Sequence, residues 1–236
     1  MKPTVVLVHG AYAESSSWNG VLEPLTTAGH RVIAFATPLR GVASDAALLS
    51  DLIRTLDGPV VLVGHSYGGA VLTNTSDAAA GRVIAAVYVA GFALDAGESC
   101  ADASALAPGS TLAETLVPVP LAAGGSDTYI APEKYHHQFA ADLPVEQARW
   151  MAVTQRPVTD LALAEPSGER PLWQSVPSWF LFGELDHNIP AGAHRIMAAR
   201  AKARDTVEIS GASHVVGISH PAETARIILE AAAGDA

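Results

Sequence analysis

Apolar residues gather into six short runs rich in β-branched side chains: TVVLVH (4–9), RVIAFA (31–36), PVVLVG (59–64), VIAAVYVAG (83–91), SWFLFG (178–183) and DTVEIS (205–210). Most lack polar alternation, which predicts strands covered on both faces, as in a parallel sheet between layers of helices. Segments of helical character separate them at 18–28, 43–56, 68–80 and 192–201, and a last helix is expected after Pro221. Strand–helix alternation requires right-handed crossovers, so the expected class is α/β with a doubly wound, mostly parallel six-stranded sheet. Such sheets bind ligands beyond the carboxyl ends of their strands, near the point where strand order reverses.

The rhythm stops between about 98 and 176. That stretch is rich in Pro, Gly and Ala (LAPGS, LVPVPLAAGGSD), with helix-like pieces at 132–140 and 144–154 and no convincing strand. A structureless loop of this length is improbable in a compact domain. The expectation is therefore a core of residues 1–97 and 177–236, interrupted by a mainly helical cap, 98–176.

One strand exit carries chemistry. In VVLVGHSYGGAVL (60–72) the apolar run breaks at Gly64-His65-Ser66-Tyr67-Gly68 and helical character resumes. This matches G-x-S-x-G in its required strand–turn–helix context. A serine on so sharp a turn exposes its Oγ only if its neighbours are small, and Gly64, Gly68 and Gly69 meet that demand. The new helix also aims free N–H groups toward developing negative charge.

A hydroxyl needs a base, and the base an acid. On this kind of elbow the order is serine, acid, histidine, with both partners after late strands. GELDHNIP places Asp186 just past the fifth run, and GASHVVG places His214 past the sixth. Among nine histidines, His9 and His65 sit too close to the strands and are read as turn supports. His30, His136, His137, His187, His194 and His220 lack the expected position, and no spacing among them marks a metal site. Asp95, after the fourth run, is the rival acid. After the first run, VLVHGAYAESSSW offers Gly10 and Ala11, so the oxyanion donors are expected to be the N–H groups of Ala11 and Tyr67. Tyr12, Tyr129, Tyr135, Trp150 and Trp173 are candidates for an apolar substrate pocket, with Tyr67, Phe139 and Met151 beside them, although burial preferences favour ordinary packing for most.

Composition narrows the partners. The 236 residues carry a formal charge of -10 and only 16% charged residues, which opposes general binding to nucleic acid or an anionic membrane. The one cysteine, Cys100, can form no internal disulfide. No run approaches the roughly 18 apolar residues of a membrane span, and the N-terminal run lacks the length and cleavage site of a signal peptide. A cytoplasmic protein, monomer or homodimer, acting on a small molecule is expected.

Together these motifs resemble the α/β-hydrolase superfamily across about 4–95 and 177–232. The short entry into VVLVHGAYAESSSW resembles the branch of plant methyl-ester esterases, hydroxynitrile lyases and their bacterial relatives. The resemblance implies no metal or organic cofactor, and hydrolysis through an acyl-enzyme. Two positions depart from the lyases: Gly10 stands where they carry threonine, and Val215 where a lysine follows their histidine. Ester hydrolysis of small to medium, uncharged substrates is therefore expected rather than cyanide chemistry, and Ser66 excludes the branches with an aspartate nucleophile. Lactonase or thioesterase activity on the same triad is the nearest alternative. A ligand-binding receptor on the same scaffold is the alternative from another class.

Overall fold

The computed structural model describes residues 1–234, so the last two positions of the expected core, 235–236, lie outside the described residues. Nine strands occur along it: β1 (Thr4–Val8), β2 (Val32–Phe35), β3 (Val60–His65), β4 (Val83–Val89), β5 (Leu116–Pro120), β6 (Ser126–Ile130), β7 (Val158–Thr159), β8 (Ser178–Gly183) and β9 (Asp205–Ile209). Six of them form the expected sheet, in the order β2-β1-β3-β4-β8-β9, with every neighbouring pair parallel. β1, β3 and β8 are buried at every residue. The outer strand β9 instead alternates half-buried and exposed positions, as an edge strand covered on one face does.

Direction reverses between β1 and β3. The chain leaves β1 outward to β2, then returns past β1 to β3 and continues to β4, β8 and β9. With right-handed crossovers, that reversal puts successive helices on opposite faces. Helices Asn19–Thr27 and Pro221–Ala233 pack on each other, and Val42–Arg54 packs on Tyr67–Thr73. The register pairs Val8 with Gly64 and His65 with Val89, so these strands end nearly level and their exit loops share one edge.

Two expectations fail locally. The helix predicted over 68–80 is split into Tyr67–Thr73 and Asp77–Ala80. Thr73 Oγ1 donates to Gly69 O, Asn74 Nδ2 to Ala70 O and Thr75 Oγ1 to Leu72 O. Three consecutive polar side chains thus compete with the backbone for its own carbonyls, which bends and ends the helix. Residues 98–176 also contain strands where none was expected: β5, β6 and β7 form a separate antiparallel sheet alongside the helices Pro132–Phe139 and Val145–Thr154. Pro118 and Pro120 hid β5, because proline cannot donate to a ladder. The conflict disappears at an edge, and β5 is one of the two edge strands of this sheet.

The helix after β3 lies directly against the backbone of β1. A Cβ on Gly68 would fall 2.2 Å from Val8 O and 2.9 Å from His9 O, distances that only a backbone shift could relieve. Gly68→Ala is expected to destabilise the protein by about 1–3 kcal/mol, the usual cost of overpacking. Urea unfolding would show this as a lower midpoint, and an unchanged midpoint would refute so close a contact.

Candidate active site

Ser66 sits at the exit of β3 with φ 52° and ψ -124°, a conformation outside the usual regions for a residue with a Cβ. Such strain costs about 1–3 kcal/mol and persists only where neighbours over-determine it. They do so here: Ser66 N donates to Ala90 O at 3.1 Å, while Ser66 O accepts from Gly69 N at 2.9 Å and Phe92 N at 3.1 Å. Gly10 closes the other side, since a Cβ there would lie 2.6 Å from Ser66 Cβ.

Asp186 and His214 meet in the interior. His214 Nδ1 donates to Asp186 Oδ2 at 2.7 Å, and both side chains are fully buried. Asp186 Oδ1 accepts from Asn188 N at 2.8 Å and Ile189 N at 2.9 Å, and His194 Nε2 donates to Oδ2 at 3.4 Å. Burial opposes charge on Asp186, but His214 and the hydrogen bonds from His194 and His214 outweigh it. The carboxyl is held well below the usual carboxylate range. Because Nδ1–H is committed to the carboxylate, the lone pair of the neutral ring is on Nε2. That atom is buried and has no hydrogen-bond partner among the described residues. The rival Asp95 is exposed in the loop after β4, where its N–H donates to Glu98 Oε2.

The other histidines nearby are structural. His65 Nε2 donates to His214 O at 3.1 Å, and the two ring centroids are 4.8 Å apart. Phe139 flanks His214 at 5.0 Å. Burial, reinforced by His214, pulls His65 down to about 3, so it stays neutral. His9 pins the turn after β1: its Nδ1–H donates to Gly10 O at 2.9 Å, while Nε2 accepts from Thr37 N at 3.1 Å. Burial lowers His9 to about 4. Both therefore support turns, as expected.

A cavity of about 520 Å³ opens at this edge, and Ala11, Ser66 and Tyr67 all line it. Tyr67 opens its helix, where an N–H has no carbonyl one turn earlier to reach. Among the described residues no Asp, Glu, Lys or Arg lines the cavity, whose far walls come from segments 100–116 and 188–189 together with Leu163. Of the pocket aromatics expected from sequence, Tyr12 and Tyr67 line it and Tyr129, Tyr135, Phe139, Trp150 and Trp173 do not. Tyr135 donates its hydroxyl to Tyr12 O at 2.8 Å and borders a second cavity of about 390 Å³. Trp173 Nε1 donates to Leu94 O, Tyr129 pairs with Val117 in the small sheet, and Trp150 is 60% exposed.

The family model of the alpha/beta hydrolases matches residues 5–227. The chain belongs to the alpha/beta hydrolase family. This hydrolase is 27% identical to Methylesterase 8 of Arabidopsis thaliana over 237 aligned positions, covering 91% of this chain and 84% of that protein. It is also 27% identical to salicylic acid-binding protein 2 of Nicotiana tabacum over 251 positions, covering 96% of each. Among solved structures, polyneuridine aldehyde esterase superposes with a TM-score of 0.81 over 98% of this chain and 99% of that one, at 21% identity. The resemblance to the methylesterase branch holds. Among the described residues, no helix of the hydrolase is long and apolar enough to cross a membrane.

Sequence reasoning passed over His194 and Asn188. His194 stacks on Phe182 at 4.8 Å and shares Asp186 Oδ2 with His214. Its eight-residue offset from Asp186 carries no recognisable spacing signal, and only the fold of the hydrolase brings the two together.

Three neutral buried histidines set a pH dependence. His9 and His65 have folded pKa values of about 4 and about 3, and burial lowers His194 as well. The unfolded chain therefore binds protons below about pH 6.5 that the folded hydrolase refuses. Stability is fully present above that pH and falls as pH drops toward the folded values, by up to about 1.4 kcal/mol per pH unit for each histidine. The depressed Asp186 works in a lower window, losing its contribution only below about pH 4, the unfolded carboxylate value. Urea midpoints measured from pH 7.5 to 5 should decline, and a flat profile would contradict neutral burial.

Proposed function

We propose that this protein hydrolyses carboxylic esters of small to medium, uncharged substrates through an acyl-enzyme, with Ser66 as nucleophile, His214 as base and Asp186 as the acid that orients it. The observation that carries the reading is the 2.7 Å bond from His214 Nδ1 to Asp186 Oδ2, which leaves Nε2 as a buried, unpartnered acceptor. A serine held at positive φ on the cavity wall supplies a group for that base to activate.

In this mechanism His214 Nε2 takes the Ser66 proton as Oγ attacks the ester carbonyl. The N–H groups of Ala11 and Tyr67 receive the oxyanion; preorganised donors of this kind contribute about 3–4 kcal/mol each. The imidazolium, stabilised by ionised Asp186, then protonates the departing alcohol. Water enters and gives a proton to Nε2 as its oxygen attacks the acyl carbonyl; the imidazolium then returns that proton to Ser66 Oγ as the acyl–oxygen bond breaks and the acid leaves. Residues 98–176 act as a cap that supplies much of the cavity wall. A wall without charged side chains favours uncharged substrates, because a carboxylate or ammonium buried there would lack a counter-charge. The name of Methylesterase 8 supports ester chemistry.

Ser66→Ala should fold normally by circular dichroism and lose about 10³-fold or more of p-nitrophenyl acetate turnover, the scale seen when a triad member is removed. Retained turnover would defeat the assignment of Ser66. Across a series of p-nitrophenyl esters, kcat/KM should peak at short to medium acyl chains; a peak at long chains would count against the assigned substrate size.

A further inference from the structure

The polar side chains lining the 520 Å³ cavity are almost all committed elsewhere. Tyr67 donates its hydroxyl to Asp45 Oδ2 at 3.0 Å, Ser104 to Cys100 O at 3.0 Å and Ser110 to Asn188 O at 2.9 Å. Thr128 gives its only hydroxyl proton to Val158 O, so the 3.0 Å contact between Tyr12 and Thr128 is a donation by Tyr12. Cys100 offers only a weak S–H donor. Beyond Ser66, one strong side-chain donor is left, the amide of Asn188.

The orientation of that amide follows from its partners. Thr111 Oγ1 donates to Gln138 Oε1 at 2.8 Å, which leaves Gln138 Nε2 as the donor end. Nε2 donates to His187 O at 2.9 Å and to Asn188 Oδ1 at 2.7 Å. Asn188 Oδ1 is thereby the acceptor, and Nδ2 is the free end. Asn188 is only 3% exposed and lines the cavity, while Nδ2 makes no hydrogen bond and is not among the enclosed, unpartnered atoms. A donor fixed in an apolar wall costs desolvation unless a ligand pairs with it, and a site built this way rejects ligands that lack the partner group.

We propose that Asn188 Nδ2 is a specificity donor that selects esters bearing a second, neutral hydrogen-bond acceptor, such as a ketone, amide or further ester carbonyl, away from the scissile bond. This rests on the ester-hydrolase reading for its substrate class, but not for the donor itself. The complementary substrate is neutral because no cationic side chain stands in the wall to pair with an anion.

The test compares p-nitrophenyl pentanoate with its 3-oxo and 4-oxo analogues and p-nitrophenyl hexanoate with its 5-oxo analogue. The wild-type enzyme should favour one oxo ester over its plain counterpart by about tenfold in kcat/KM, equivalent to about 1.4 kcal/mol. Asn188→Leu should abolish that preference, bringing the oxo-to-plain ratio of kcat/KM to about one whatever its effect on plain-ester turnover. Asn188→Ala, which removes the donor without adding a charge or a new donor, should abolish it too and serves if the leucine variant misfolds. An unchanged oxo-to-plain ratio in a folded variant overturns the proposal, as does a wild-type enzyme with no oxo preference. Calorimetric titration of Ser66→Ala protein with the same pairs separates the two readings. Preferential oxo-ester binding that disappears on adding Asn188→Ala, without turnover by the wild type, would retain the donor and refute ester hydrolysis. Turnover with equal binding of both esters would do the reverse.

Discussion

The carboxylate of Asp186 is charged and enclosed, and much of the site's geometry follows from how that charge is satisfied. An unpaired buried carboxylate would be prohibitively costly. Here two backbone N–H groups hold one oxygen and two imidazoles share the other. The backbone pair curls residues 186–189 into a tight turn. The His214 bond fixes both its tautomer and the direction of its free nitrogen. His194 adds a second donor without adding charge, because burial keeps its ring neutral. The arrangement is thus a single anion surrounded by neutral donors, in which each imidazole keeps one unpartnered ring nitrogen, His214 Nε2 and His194 Nδ1.

That turn would be idle without the reversal of strand order that brings the other loops to it. Parallel strands ending level present their exits on one edge, and the reversal between β1 and β3 opens a crevice between the first exit and the elbow. The price of closeness appears as strain at Ser66 and as glycine where helix meets strand. The neighbours that hold Ser66 in place, Ala90 and Phe92, lie just past β4, so three consecutive strand exits of the sheet stabilise one conformation. Further support comes from residues 98–176, through Phe139 against His214 and through Tyr135 and Thr128 on the two ends of Tyr12.

The sheet, the elbow and the late-strand positions of Asp186 and His214 were legible because each is a local pattern: an apolar run, a cluster of small residues, a polar residue just past a strand. What escaped depends on partners distant in sequence. β5 was hidden by prolines whose missing N–H groups matter only if the strand is interior, and nothing local says that it is an edge. The aromatic candidates misled for a related reason. Tyr135 and Trp173 looked available to a substrate, but each has a polar tip that burial obliges to find a partner, and each found a backbone carbonyl. A hydroxyl or indole satisfied by the protein marks architecture. A polar group left unsatisfied beside a cavity is the better indicator of recognition.

By that criterion the acid turn has two outputs. Asn188 spends its backbone N–H on Asp186, its carbonyl on Ser110 and its side-chain oxygen on Gln138, which leaves one amide nitrogen uncommitted. The residue whose backbone helps to hold the charge of Asp186 is therefore also a residue of the cavity wall. The two tasks are separable by chemistry, since the backbone performs one and the side chain the other. A change of side chain at 188 can alter what the cavity accepts while the turn that orients His214 keeps its hydrogen bonds. Binding preference can thus vary at this position without dismantling the charge network on which hydrolysis would depend.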